Sequence, residues 1–147
     1  LQLNGGASLQ NATAGGGARF YYVNLPEGSD GEVSFPINTK YDGTGFGLKI
    51  HWFVNDASHG TNHSMEYYAK MYRDSDAMAA ETARAFTMVD AATDVNYIRV
   101  ISPITVEGNF TSSGTNMHLS LLHRGDCGAS GDLRILCLEI TYLIELE

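Results

Sequence analysis

The chain is poor in the features that define several large classes of protein. No apolar run approaches the ~20 residues of a membrane-spanning helix. The first residues lack a basic segment leading into a long apolar core, so no signal peptide is expected. Leu1 in place of Met points to a processed or trimmed start. Basic side chains are scarce: nine Lys and Arg against seventeen Asp and Glu give a net charge of −8. That balance disfavours nucleic acid and anionic membrane as partners. Two cysteines, Cys127 and Cys137, are too few for a disulfide-dense scaffold, and neither belongs to a Cys-x-x-Cys metal pair. A bond between them is possible if a turn brings them together. A buried thiol at Cys137 and a loop thiol at Cys127 is the favoured reading.

Proline is also rare, three residues against sixteen glycines and eight tyrosines. That balance suits a β protein with many tight turns. At 147 residues and 44% hydrophobic content the chain is ordered and most simply one domain, burying roughly 70% of its unfolded surface.

The organising stretch runs from Asn116 to Tyr142. Met117, Leu119 and Leu121 alternate with His118 and Ser120; Leu136, Leu138, Ile140 and Tyr142 alternate with Cys137, Glu139 and Thr141. Period-two alternation with one polar face predicts half-buried antiparallel strands, and Gly125, Gly128 and Gly131 between them predict a hairpin. Gly45 to Asn55 has the clearest pattern: Phe46, Leu48, Ile50, Trp52 and Val54 share one face, Lys49, His51 and Asn55 the other. This predicts a central strand with Trp52 in the core.

Other strands are expected at Arg19–Leu25, Gly31–Ile37 and Ser64–Asp74, with Pro36 marking an edge or bulge. Met65, Tyr67, Ala69 and Met71 oppose Glu66, Tyr68, Lys70 and Tyr72. A long strand over Val95–Gly108 should bend at Pro103. Between Ser75 and Asp94, Met78, Thr82, Ala85 and Val89 are spaced for one short helix capped by Ser75 or Asp76, although Phe86–Val89 also fits a strand. Residues 1–18 are small, polar and glycine-rich, with only Leu1, Leu3 and Leu9 large and apolar. They read as an extended N-terminal arm, and residues 19–147 as a sandwich domain. The fold class is therefore all-β: an antiparallel β-sandwich of jelly-roll type with at most one short helix.

Candidate chemistry is thin. His59 and His63 have His-x-x-x-His spacing, but in a glycine-bearing loop without a third ligand, where a solvated loop is favoured over zinc. Asp74 and Asp76 lack the further oxygens of a calcium loop. Arg124-Gly125-Asp126 spells an integrin-binding tripeptide and reads as a turn. Asn11, Asn62 and Asn109 begin Asn-x-Ser/Thr sequons. No nucleophile elbow, phosphate loop or assignable acid–base pair is visible, so no catalytic, cofactor or metal site is assigned.

Tyr41-Asp42-Gly43, the strand ending in Trp52, the strand at 64–74 and an Asp-Ala loop form an ordered series. Arg124, Gly131-Asp132, Leu133 to Ile140 and Tyr142 complete it. Over residues 20–142 this series resembles small β-sandwich virion proteins of tailed bacteriophages. The loop Cys127-Gly-Ala-Ser departs from their commoner acidic segment, and Leu143 to Glu147 run past the usual end. The resemblance implies a non-enzymatic capsid decoration or cement protein on the capsid exterior, with the major capsid protein as partner. A homotrimer is expected from Tyr67, Tyr68 and Tyr72, whose strand is apolar on both faces; with Leu1, Leu3 and Leu9 these are the candidate capsid or subunit contacts. The alternative is a receptor- or glycan-binding tail-fibre domain, with Tyr41, His59, Asn62 and His63 as candidate sugar contacts.

Overall fold

The structure is a computed structural model that describes residues 1–13, 17, 19–54, 62–74, 76, 82–89, 99–100, 104–106, 115–126 and 132–146. Eleven strands follow in order among the described residues: β1 (Gln2–Asn4), β2 (Ser8–Thr13), β3 (Arg19–Leu25), β4 (Asp30–Pro36), β5 (Tyr41–Phe53), β6 (Asn62–Tyr72), β7 (Arg84–Val89), β8 (Arg99–Val100), β9 (Ile104–Val106), β10 (Asn116–Asp126) and β11 (Leu133–Ile144). They form two antiparallel sheets, ordered β1-β4-β10-β6-β7 and β2-β3-β11-β5-β8, with β9 also on β5. The protein is an antiparallel β-sandwich, and no helix occurs among the described residues.

The core follows the alternation of the long strands. Phe46, Leu48, Ile50 and Trp52 of β5 and Met65, Tyr67, Ala69 and Met71 of β6 are buried, as are Met117, Leu119 and Leu121 of β10. Trp52 is fully buried, as its register predicts. Each large side chain among these contributes about 1.5–3 kcal/mol when removed from water, Ala69 less.

The expected hairpin at Asn116–Tyr142 is not a hairpin. β10 pairs with β4 and β6 in one sheet, whereas β11 pairs with β3 and β5 in the other. Alternation tells which face of a strand is buried, and both strands bury an apolar face; it does not name the partner. Facing sheets stand about 10 Å apart and an extended residue advances about 3.3 Å. The six positions between Asp126 and Leu133 are thus enough to change sheets.

The N-terminal residues are likewise no free arm. β1 pairs with β4 and β2 with β3, one strand in each sheet. Leu3 lies over Gly31, where an added Cβ would stand 3.2 Å from the leucine methyl, so the glycine makes room for the docked strand. Small polar residues had argued against burial, but edge pairing needs backbone groups, not large side chains.

Two smaller expectations also change, and a third lies mostly outside the described residues. Arg84–Val89 is strand β7, paired with β6, while most of the stretch proposed as a helix (75, 77–81 and 90–94) lies outside the described residues. Of the long strand expected over 95–108, residues 99–100 and 104–106 are described, as β8 and β9, both on β5; the remainder, Pro103 included, lies outside the described residues. Cys137 is an exposed free thiol, not a buried one, because a register shift between Ile135 and Cys137 places it opposite His51 on the outer face.

Candidate functional site

The residues singled out as sugar contacts do not converge. Tyr41 is buried, stacked on Phe46 at 4.7 Å, and its hydroxyl accepts the Gly45 N–H at 2.7 Å. Burial raises its pKa, opposed by that hydrogen bond and aided by Asp42. His63 is also buried, edge-on to Trp52 at 4.9 Å, near His123, whose Nδ1 donates to the Leu25 carbonyl at 2.8 Å. Asn62 is exposed, and His59 lies outside the described residues. Tyr41 and His63 are thus wall material from separate parts of the core.

The other candidates are equally dispersed. Tyr67 faces the core, while Tyr68 and Tyr72 are half-buried on the opposite face of β6. Leu1 and Leu9 are exposed and Leu3 is half-buried. Arg124 lies within β10, its Nε donating to Glu66 at 2.8 Å, so the Arg-Gly-Asp tripeptide does not begin in an open turn. The Asp76 carboxylate accepts the Arg73 N–H at 3.0 Å. No group of three His, Cys, Asp or Glu suited to a metal ion occurs among the described residues. On the outer face of the five-stranded sheet, Ser34 Oγ is 2.9 Å from His118 Nδ1, and His118 Nε2 is 3.4 Å from Glu32. Register alone accounts for this contact, since His118 and Ser34 are cross-strand partners.

The structure instead brings aromatic and polar side chains together on the outer face of the six-stranded sheet. β3 presents Phe20, Tyr22 and Asn24 on the side opposite Val23 and Leu25, which face the interior. β5 contributes Phe53, the residue after the buried Trp52, and β11 contributes Arg134. Strand pairing brings them together: Arg134 is the partner of Asn24 on one side and of Phe53 on the other. Phe20, Tyr22 and Phe53 form a cluster with ring centroids 5.3–6.2 Å apart. The Arg134 guanidinium lies 5.1 Å above Tyr22 and 5.7 Å above Phe53, cation–π distances.

Polar groups frame the rings. Tyr22 donates its hydroxyl hydrogen to Gln10 Oε1 at 3.1 Å, and Gln10 donates to Ser8 Oγ at 3.0 Å. Asn24 Nδ2 donates to Asp132 Oδ2 at 2.7 Å. Further along the same face, His51 and Lys49 approach Glu139 at 3.4 and 3.8 Å. Two buried polar atoms here, Asn24 Oδ1 and Arg134 Nε, have no hydrogen-bond partner among the described residues. One is an acceptor, the other a donor, and leaving each unmet costs about 1–3 kcal/mol. Phe20 keeps 36% of its surface in solvent, whereas Tyr22 and Phe53 are nearly closed beneath it.

Sequence reading missed this cluster. Arg19-Phe20-Tyr21-Tyr22-Val23 carries aromatic residues on both strand faces, the same signal that drew notice at Tyr67–Tyr68. Phe53 and Arg134 give no signal singly, since only pairing across β11 unites them with β3.

No protein-family model and no curated protein matches the chain. Solved structures do. The crystal structure of the Agl-KA catalytic domain matches with a TM-score of 0.54 and 16% identity over 97% of this chain and 26% of that one. The present chain therefore spans about a quarter of that protein's length. A family 16 carbohydrate-binding module-2 matches with a TM-score of 0.41 and 15% identity, over 92% of this chain and 86% of that one. TmCBM61, solved in complex with β-1,4-galactotriose, matches at 0.40 and 13%, over 97% and 88%. At these identities the likeness is one of fold, and the first match carries it: the chain is similar in architecture to part of the Agl-KA catalytic domain structure.

Proposed function

We propose that the chain is a non-catalytic carbohydrate-binding β-sandwich module that holds a sugar on the outer face of the β2-β3-β11-β5 layer. The observation that carries this reading is the pairing of an aromatic cluster with two unmet buried polar atoms on one solvent-side face. A pyranose has an apolar C–H face and a rim of hydroxyls. The exposed part of Phe20 offers a surface for the first. Gln10, Asn24, Arg134 and Asp132 offer donors and acceptors for the second, the mixture expected of a small-ligand site. A hydroxyl both donates and accepts, so one hydroxyl can serve Asn24 Oδ1 and Arg134 Nε together. Movement of Arg134 off the Tyr22 and Phe53 rings opens that path.

The capsid-decoration reading came from the resemblance over residues 20–142, with Leu1, Leu3, Leu9, Tyr67, Tyr68 and Tyr72 as its expected contacts. Residues 2–4 and 8–13 are built into the two sheets, and Tyr67 is in the core. The sugar-binding reading is favoured by the aromatic and polar groups that meet on the outer face.

The test is a glycan microarray followed by calorimetric titration of any sugar retained. Saturable binding that falls at least about tenfold, or about 1.4 kcal/mol, in Arg134→Met is expected. Retention of no glycan, or binding that survives both Arg134→Met and Phe20→Ala, would overturn the assignment.

A further inference from the structure

One side of the sandwich is left open by incomplete strand pairing. β11 pairs with β3 only through Leu133, Arg134 and Ile135, although it continues to Ile144. From Leu136 onward its edge away from β5 has no strand neighbour among the described residues. The facing sheet has the same defect. β1 covers β4 only at Asp30, Gly31 and Glu32, so among the described residues Val33 to Pro36 form a second free edge. Pro36, which has no N–H to donate, stands at the end of that edge.

Between the two edges lies a cleft of about 570 Å³ lined by inner-face side chains of both sheets, among them Val33, Phe35, Leu119, Leu138, Ile140 and Tyr142. That volume lies within the ~300–1,000 Å³ common to ligand sites. Among the described residues of its walls, Glu32 is the one charged side chain. Leu138, Ile140 and Tyr142 are only partly buried, as is Phe35. An apolar cleft alone does not say what fills it. Here the free edges do: their backbone N–H and C=O groups call for another strand, while the cleft calls for apolar side chains at every second position.

We infer that this side of the sandwich receives an extended polypeptide segment from a partner protein, alternating apolar and polar residues, which adds as a strand to the free edge of β11. Its inward side chains fill the cleft beside Leu138, Ile140 and Tyr142, and its outward side chains remain in water. Backbone pairing supplies the affinity and the alternate pockets the selectivity, as in other strand-addition complexes. This inference does not depend on the sugar site, which lies on the opposite face of the same sheet.

The experiment uses the unmodified chain and two synthetic peptides. One alternates valine and threonine over the length of the free run; the other has the same sequence with alternate amides N-methylated, so it keeps the side chains but cannot extend the sheet. Hydrogen exchange and fluorescence anisotropy are read for each, with sedimentation of the chain alone. Saturable binding of the first peptide, with exchange slowed at residues 136–144 and no binding of the second, is the expected result. Equal binding of both peptides, or no binding of either up to millimolar concentration, overturns strand addition. A dimer of the chain alone with residues 136–144 already protected would make a second copy the occupant and overturn the partner assignment.

Discussion

Trp52 and Phe53 are neighbours in sequence and point in opposite directions. Trp52 sits in the space between the sheets with Met65 and Tyr67 among its core companions, fully closed from water. Phe53 lies on the outer face under a guanidinium, beside Tyr22 and Phe20. Both are buried aromatic residues on one strand, yet what buries them differs. The inner ring is enclosed from both sheets, by apolar side chains and by the buried His63 ring. The outer one is covered by the Arg134 guanidinium, with Phe20 and Tyr22 beside it and no second sheet above. Burial of the first kind holds a fold together, whereas burial of the second kind can be exchanged for a ligand.

The largest expected effect falls on the inner member. Trp52→Ala should destabilise the chain by about 3–5 kcal/mol in urea unfolding, the usual cost of emptying a packed aromatic site. Phe53→Ala should cost less, about 2 kcal/mol, because no second sheet encloses it. Sugar binding should fail in that variant even where the protein remains folded. Equal destabilisation by the two substitutions would make the outer cluster a second core and not a surface held ready for a ligand.

Arg134→Met separates the roles further. Its cation–π contacts, made by a half-buried side chain, are worth on the order of 1 kcal/mol, so the unfolding midpoint should move less than in Phe53→Ala while sugar affinity drops at least about tenfold. A large stability loss with unchanged affinity would reverse that reading. The smallest effect concerns Tyr41, inside the core. Burial holds its pKa above the ordinary 10.0. The folded chain therefore keeps a proton that the unfolded chain gives up. This contribution is fully present below pH 10.0 and is lost as pH rises through the folded value. Tyr41→Phe should flatten the alkaline fall in stability, measured as unfolding midpoint against pH.

The inner half of this comparison was legible in sequence. Phe46, Leu48, Ile50 and Trp52 repeat at period two, and one strand's pattern suffices to assign its buried face. Met117, Leu119 and Leu121 were found in the same way. What periodicity cannot supply is the neighbour. β10 and β11 have the alternation of hairpin arms but lie at the middle of opposite sheets, because a short link can cross between layers as readily as turn back. The strands near the N-terminus escaped notice because edge strands are held by backbone pairing, which leaves little mark on composition. The candidate site was illegible for the same reason. Gln10, Tyr22, Arg134 and Phe53 are spread over four strands and become one surface only through register.

The central claim is that the outer face of the six-stranded sheet holds the sugar. The most direct measurement is an NMR titration of the chain with a glycan retained on the array, following backbone amides together with aromatic, Asn24 side-chain and Arg134 Nε–H signals. Binding at this face predicts saturating shifts at Phe20, Tyr22, Asn24 and Arg134, with the Trp52 and Met65 signals unmoved. Shifts confined to the five-stranded sheet, or spread through the core while Arg134 stays fixed, would contradict it.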